Sequence, residues 1–293
     1  MQLLMILLMV WLVGLAPAVA SDGPTDPLVE SSPGPVISAE SEYATLDSLF
    51  ELYQPYIANI SAYKSIYFLV GADPAKSKFQ ISFKYRVFNH KGKLVRAYPW
   101  LEGTYFGFTQ TSYWDLKSDS LPFEDTSYKP ELFHLSRNLV SGIPWLQGLF
   151  VKSGLQHESN GQGGDMSRST NNLSIQPIWV RYNPETRLGL AVLLKVWAYL
   201  ENSESNRNLP AYRGYCQLGL KAGKADSVVV ETTLAWATEG GSLSMDFTFP
   251  MDRYVGQNLQ FYFHVQYVNA LAESLLHYQE RTEALRVGFT FVR

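Results

Sequence analysis

Regular alternation of apolar and polar residues constrains the fold of this chain more than any other feature of its sequence. The alternation is clearest in four segments: 79–87, 243–249, 259–267 and 285–291. Successive side chains of a β-strand point to opposite faces, so a period of two predicts strands. Turn-rich stretches separate the alternating segments. The chain has room for roughly a dozen strands of about ten residues, as in a mid-sized antiparallel barrel.

The composition favours a transmembrane barrel over a soluble one. Aromatic residues make up 14% of the chain and charged residues 17%. A membrane barrel needs apolar side chains only at alternate positions and collects aromatic residues at both interfaces. Alternation alone does not tell the inner face from the outer one, so a soluble β-sandwich or lipocalin-like barrel stays open as an alternative. We expect an all-β protein, an antiparallel transmembrane β-barrel of about twelve strands.

The N-terminal region predicts a signal peptide and a linker in front of a single barrel domain. Residues 1–20 are similar to a signal peptide, with an apolar run at 3–15 and an Ala-Val-Ala cleavage pattern at 18–20. The run has no Lys or Arg before it, which leaves a retained helical anchor as the alternative. Residues 21–44 are rich in Pro, Ser, Gly and acidic residues and predict a flexible linker. Residues 45–293 would then form a single barrel domain with an N-terminal arm.

Charge and cysteine content narrow the function classes. The formal net charge of −3 gives no broad basic surface, so we expect no nucleic-acid partner. The single cysteine, Cys216, excludes an intramolecular disulfide. No segment after the signal is long and apolar enough to predict a transmembrane helix.

Three residues that could hydrolyse an ester share one face of the predicted strands. His157 and Ser159 are two positions apart, which on a strand places both side chains on the same side. The positions in that register, such as Leu155, are the more apolar set, so this face would point to lipid and Glu158 to the lumen. Asn171, on the strand after a glycine-rich turn, falls on the same outward face.

These residues are the parts of a serine hydrolase site. Ser159 would attack an ester carbonyl, His157 would take its proton, and Asn171 would hold the imidazole. A polar cluster on a lipid-facing surface is costly and usually functional. The nearby turn places it close to the membrane–water interface, where phospholipid ester bonds are within reach. A neutral amide in place of a carboxylate avoids an ionised group beside hydrocarbon.

Four motifs are similar to those of the outer membrane phospholipase A family of Gram-negative bacteria. In chain order they are TQTSYW at 109–114, YKPELF at 128–133, HESNG at 157–161 and SRSTN at 167–171. The resemblance covers most of the chain after the signal. It implies a twelve-stranded barrel in the outer membrane, with calcium-dependent phospholipase A1, A2 and lysophospholipase activities on phospholipid and with activation by homodimer formation.

The resemblance also implies roles for single residues. It makes Ser159 the nucleophile, His157 the base and Asn171 the orienting residue. It also makes the Gly161 N–H an oxyanion donor. A calcium ion at the dimer interface would be held by the Ser167 hydroxyl and the Gln162 carbonyl. A third ligand would be the Ser120 carbonyl of the other subunit; all three are oxygen ligands, as calcium requires. The family commonly has Arg at the position of Gln162.

Gln110 indicates a dimer contact on separate grounds. It shares the register of an apparent strand with Phe106 and Trp114. An amide that faces lipid is costly unless it has a partner, such as the same residue across a two-fold axis. The opposite register contains Tyr105 and Tyr113 and is also aromatic, so the reverse assignment of faces stays open.

Two other functions remain as alternatives to a membrane-embedded phospholipase. A non-catalytic outer-membrane porin or adhesin barrel would conduct ions or bind ligands whether or not Ser159 and calcium were present. A soluble secreted esterase would need no detergent and would partition into the aqueous phase.

Overall fold

The computed structural model describes residues 54, 56–140, 142–143, 146–224, 226–252 and 259–293. Contacts divide the chain into two units, Met1–Pro55 and Tyr56–Arg293, and all described strands belong to the second. The predicted signal at 1–20 and linker at 21–44 lie outside the described residues, so both stay predictions.

Strands make up more than half of the described chain. In order they are β1 (Ile60–Ala62), β2 (Ile66–Gly71), β3 (Ser77–Arg86), β4 (Thr104–Trp114), β5 (Phe123–Leu135), β6 (Gly148–Ser159), β7 (Ser169–Tyr182), β8 (Leu188–Asn202), β9 (Cys216–Lys224), β10 (Val229–Ala237), β11 (Gly240–Pro250), β12 (Tyr262–Leu271) and β13 (Arg281–Val292). Two one-turn α-helices, α1 (Lys93–Ala97) and α2 (Leu209–Arg213), and several short 3₁₀ helices lie in connections of the described chain. No described helix is long and apolar enough to cross a membrane.

The strands close into a barrel. Each of the strands from β3 to β12 pairs antiparallel with the next along the chain, and β13 pairs with β2. Both β1 and β2 pair with β3, through Ile60 opposite Tyr85 and Tyr67 opposite Gln80, so they are two parts of one strand position. The wall therefore has 12 strand positions, which confirms the predicted all-β antiparallel barrel.

The lumen is polar and the outer surface apolar. Arg286, His264 and Glu131 are at most 2% exposed, although they are charged or polar. On the outside, Leu155 is 50% exposed and Phe289 is 42% exposed. A soluble barrel has the opposite distribution, because it must bury its apolar face in its core. The soluble β-sandwich or lipocalin-like alternative was therefore wrong, and the alternation is that of a transmembrane barrel.

Ion pairs fill much of the lumen. Three buried carboxylates each contact a basic side chain: Glu131 with Lys152 at 2.6 Å, Glu158 with Arg213 at 2.7 Å, and Glu273 with Arg286 at 2.7 Å. A buried charge is tolerated only when it is paired and hydrogen-bonded. These pairs connect strands and loops that are distant in sequence, and they stabilise the barrel from its interior.

A small cap lies over one end of the lumen. It consists of α2 and the 272–280 connection, which share a cluster in which Leu209 and Leu275 are fully buried. The Tyr113 hydroxyl donates to the Glu273 backbone carbonyl and so ties this connection to β4. A cavity of about 330 Å³ remains beside the cap, lined mainly by polar and charged side chains. The lumen thus contains packed side chains and a small polar cavity.

Candidate active site

The strand pair β6–β7 brings the three predicted site residues to one outward patch. His157 lies directly opposite Asn171, and Ser159 lies opposite Ser169. His157, Ser159 and Asn171 are half-buried, whereas Glu158, between the first two in the chain, is buried in the lumen. The structure therefore places the three residues on the lipid-facing side and Glu158 inside, where it contacts Arg213.

His157 and Asn171 are directly hydrogen-bonded. The distance from His157 Nδ1 to Asn171 Oδ1 is 2.8 Å. An amide oxygen can only accept, so Nδ1 of the neutral ring must carry the hydrogen. The other ring nitrogen, Nε2, then has a free lone pair. That is the tautomer a general base needs in order to accept a proton from a serine hydroxyl.

Ser159 lies two residues after His157 on the same strand. Two strand residues span roughly 6.6 Å, so the side chains at i and i+2 are neighbours on one face. On the adjacent strand Tyr128 lies opposite Ser159. Exposed leucines, such as Leu155 and Leu173, lie on the outer wall nearby. The patch combines a serine, a histidine and an amide hydrogen-bonded to that histidine with an apolar surface beside them.

Glu201 is a fourth residue of the patch, and it was not predicted from the sequence. The Asn171 Nδ2 amide donates to Glu201 Oε2 at 3.1 Å. Strict alternation along β8 would have assigned Glu201 to the lumen, together with Lys195 and Tyr199. A register shift between Asn171 and Asn172 changes this: Asn171 pairs with Glu201 and Asn172 with Tyr199. Such a β-bulge moves a side chain to the other face, and the residue pattern does not predict it.

The turn from 160 to 168 is organised by a buried asparagine. The Asn160 side chain is 4% exposed, donates to the Met166 carbonyl at 2.8 Å, and accepts the Arg168 N–H at 3.0 Å. Its oxygen also accepts the N–H of Gln162 at 3.3 Å. A side chain that bridges both arms of a turn replaces missing backbone bonds and fixes the loop. Sequence reasoning missed this role, although Asn is a residue expected in turns.

Gly161 is the next residue, and two features require it to be glycine. Its φ is +70°, a conformation that side-chain-bearing residues seldom adopt. A Cβ at this position would be 2.9 Å from Cε2 of Tyr128. The backbone just after Ser159 is therefore shaped by the absence of a side chain. Its proposed N–H role as an oxyanion donor stays a prediction.

The residues predicted to hold calcium lie on exposed connections. Gln162 and Ser167 lie at opposite ends of the 160–168 turn, and Ser120 lies in the connection between β4 and β5. The Ser167 carbonyl accepts from the Ser205 hydroxyl and from Arg168 Nη1. Within the described residues, no cluster of three or more His, Cys, Asp or Glu side chains could hold a metal. The predicted ligands Gln162, Ser167 and Ser120 themselves offer neutral oxygens.

Gln110 lies on the outer wall of β4. It is half-buried and shares its face with Phe106, which is 41% exposed, while Tyr113 of the opposite register is buried in the lumen. The Gln110 amide donates to Ser112 Oγ at 3.3 Å, a long bond that leaves most of its hydrogen-bonding capacity unused. The location suits the predicted dimer contact, and the contact itself stays a prediction.

Comparison with known proteins gives consistent matches. A family model described as phospholipase A1 matches residues 54–291. The phospholipase A1 of Escherichia coli (strain K12) is 29% identical over 184 residues, 62% of this chain and 59% of that relative. The match therefore spans less than two thirds of that protein. The phospholipase A1 of Salmonella typhimurium is 27% identical over 252 residues, 83% of this chain and 82% of the relative.

Solved structures show the same fold. Outer membrane phospholipase A from Escherichia coli has a TM-score of 0.65 at 22% identity, covering 80% of this chain and 98% of the other. A calcium-bound dimer of the Salmonella typhi outer membrane phospholipase also has a TM-score of 0.65, at 21% identity, covering 80% of this chain and 92% of the other. The resemblance inferred from the four motifs is confirmed.

Proposed function

The chain belongs to the phospholipase A1 family, and we propose that it hydrolyses acyl esters of phospholipids as an integral β-barrel of a bacterial outer membrane. The observation that carries this proposal is the 2.8 Å bond between His157 Nδ1 and Asn171 Oδ1, on the strand face that also holds Ser159. Fold and family alone would fit several activities, whereas a base with an oriented tautomer beside a serine has a specific chemical use.

The reaction begins at the Ser159 hydroxyl. His157 Nε2 accepts the hydroxyl proton as Oγ attacks the ester carbonyl, and the imidazolium then donates that proton to the departing alcohol oxygen of the lysophospholipid. A water molecule deprotonated by the same nitrogen releases the fatty acid from the acyl-enzyme. Asn171 holds the ring in the productive tautomer through both halves, and the Gly161 N–H stabilises the oxyanion.

The location of the patch on the barrel accounts for the substrate. Ser159 is the last residue of β6, next to the exposed 160–168 turn, and the wall below it is apolar. A phospholipid has its ester bonds between its headgroup and its acyl chains. A serine at the boundary between an apolar wall and a polar turn therefore meets an ester that stays within the membrane.

Calcium and a second subunit complete the proposal. The Salmonella typhi relative is a calcium-bound dimer, and the oxygens of Ser167, Gln162 and the other subunit's Ser120 are ligands of the kind calcium binds. The set lacks a carboxylate, so it fits a weak site that is filled only when both subunits meet. The bound ion would add positive charge near the developing oxyanion. Gln110 would pair across the two-fold axis on the outer wall.

The proposal is tested by fatty-acid release from phospholipid in mixed micelles. Wild type with calcium should hydrolyse the lipid. The rate of hydrolysis by Ser159→Ala should be at least a thousandfold lower, since the nucleophile is gone. Heat-modifiable electrophoretic mobility should show that the barrel of the variant is intact. Undiminished hydrolysis by Ser159→Ala would refute the site. Ion conductance without any hydrolysis by wild type would favour the porin alternative.

A further inference from the structure

We infer that Glu201 is a positioning residue of the hydrolytic site, acting through Asn171 on the tautomer of His157. The inference rests on the proposed function for its consequence in catalysis, but its structural part can be tested without a substrate. It follows from three features: the 3.1 Å contact between Glu201 and Asn171, the chemistry of an amide, and the bulge in β8.

An amide between a histidine and a carboxylate has only one suitable orientation. A carboxylate can only accept hydrogen bonds, so the Asn171 NH₂ group must face Glu201. The amide oxygen then faces His157 Nδ1, at 2.8 Å. Without a fixed acceptor on its other side, the amide could rotate and present its NH₂ group to the ring. The ring would then need its hydrogen on Nε2, which is the wrong tautomer for a base.

Glu201 also supplies charge that asparagine lacks. When the imidazole becomes an imidazolium, the Asn171 amide offers it only a dipole. A carboxylate hydrogen-bonded to the far side of that amide polarises it. It also adds a negative charge that is separated from the imidazolium only by the Asn171 side chain. Glu201 is exposed near the end of β8, next to the polar connection that follows Asn202. The site thus gains an acidic group at the edge of the barrel wall, where a charged side chain costs less than at mid-membrane.

The bulge in β8 is what makes the contact. Asn171 pairs with Glu201, the next pair joins Asn172 to Tyr199, and Leu200 is left over between them. A bulge adds one residue on one strand and turns the side chains beyond it to the other face. Without it, Leu200 would lie opposite Asn171 and Glu201 would point towards the lumen.

The experiment compares Glu201→Leu, Glu201→Gln and the control Glu204→Gln. Glu204 lies three residues away on the same exposed segment and pairs with Arg207 instead. In lipid hydrolysis we expect Glu201→Leu to lower kcat about tenfold with KM unchanged, because Glu201 contacts no substrate and a charged hydrogen bond is lost. Glu201→Gln should stay within about threefold of wild type, since its amide oxygen can still accept from Asn171. Glu204→Gln should not differ from wild type.

Nitrogen-15 NMR of histidine-labelled barrel in detergent reads the tautomer directly. The His157 signals are assigned by their loss in His157→Gln. Wild type and Glu201→Gln should show the hydrogen on Nδ1, and Glu201→Leu should show a mixture of tautomers. An unchanged tautomer together with an unchanged kcat in Glu201→Leu would overturn the inference, as would a Glu201→Gln variant as impaired as Glu201→Leu. The NMR result holds even if wild type hydrolyses no phospholipid, so the two proposals can fail separately.

Discussion

Replacing Glu273 with glutamine should destabilise the barrel by several kcal/mol at neutral pH and by almost nothing in strong acid. Glu273 lies in the connection after β12 and reaches into the lumen, where it bonds Arg286 at 2.7 Å and Lys78 at 2.8 Å. Burial alone would raise the pKa of Glu273, but the positive charges of Lys78 and Arg286 outweigh it and lower the pKa to about 2.

The magnitude and its pH window follow from that pKa. A shift from the usual 4.5 to about 2 corresponds to about 3 kcal/mol of stability, an order-of-magnitude figure for a buried group. Because the folded-state pKa is the lower one, this stability is fully present above about pH 4.5 and is lost as the pH falls towards 2. Removing the carboxylate also leaves two buried cations unpaired, a change that costs about 3–5 kcal/mol.

The assay is urea unfolding of the barrel in lipid vesicles at pH 7 and at pH 3, followed by tryptophan fluorescence. Glu273→Gln should lower the free energy of unfolding by about 3–5 kcal/mol at pH 7, and by clearly less at pH 3. The control is Glu239→Gln, an exposed position in the short connection between β10 and β11, which should behave as wild type at both pH values. An equal loss for Glu273→Gln at both pH values would refute the electrostatic reasoning.

Two further predictions concern the active site. Asn171→Asp should strongly lower the kcat of hydrolysis, because the introduced carboxylate has no N–H for Glu201 and repels it. Adding Glu201→Gln should restore part of kcat. If the two residues acted independently, the two losses would multiply instead. Gly161→Ala should lower kcat at least tenfold, because a Cβ there would be 2.9 Å from Tyr128 Cε2 at a φ of +70°. Its matched control, Gly163→Ala, should retain activity, since nothing lies within 4 Å of the added Cβ and φ is −107°. Equal effects of the two alanine substitutions would contradict the steric argument.

The barrel and the three-residue patch were predictable because both depend on a period of two. That period predicted the strands, and the same counting placed His157, Ser159 and Asn171 on one face. Counting could not decide which face was inside. The structure decides it, because buried ionic residues such as Arg286 and Glu131 identify the lumen.

Features that break the period could not be predicted. Glu201 reaches the site only through a bulge, and the pattern of β8 gives no sign of it. Asn160 holds the turn through bonds from one side chain to several backbone groups, which depend on the path of the loop. The cap over the lumen depends on contacts between Leu209 and Leu275, which lie far apart in the sequence. Local periodicity carries no information about such pairings.

The active-site hairpin and the closure of the barrel between β13 and β2 should form on different timescales. The bond between His157 and Asn171 joins residues 14 positions apart, so a single hairpin can form it. Closure joins β13 to β2, for example Arg286 to Gly71, across nearly the whole described chain. The entropy cost of closing a loop grows with the logarithm of its length, so this closure costs about 2 kcal/mol more than the hairpin and is the slower step. Substitutions in β2 or β13 should therefore delay insertion and leave the chemistry of the finished enzyme unchanged. Substitutions in β6 or β7 should change that chemistry and leave the rate of insertion unchanged.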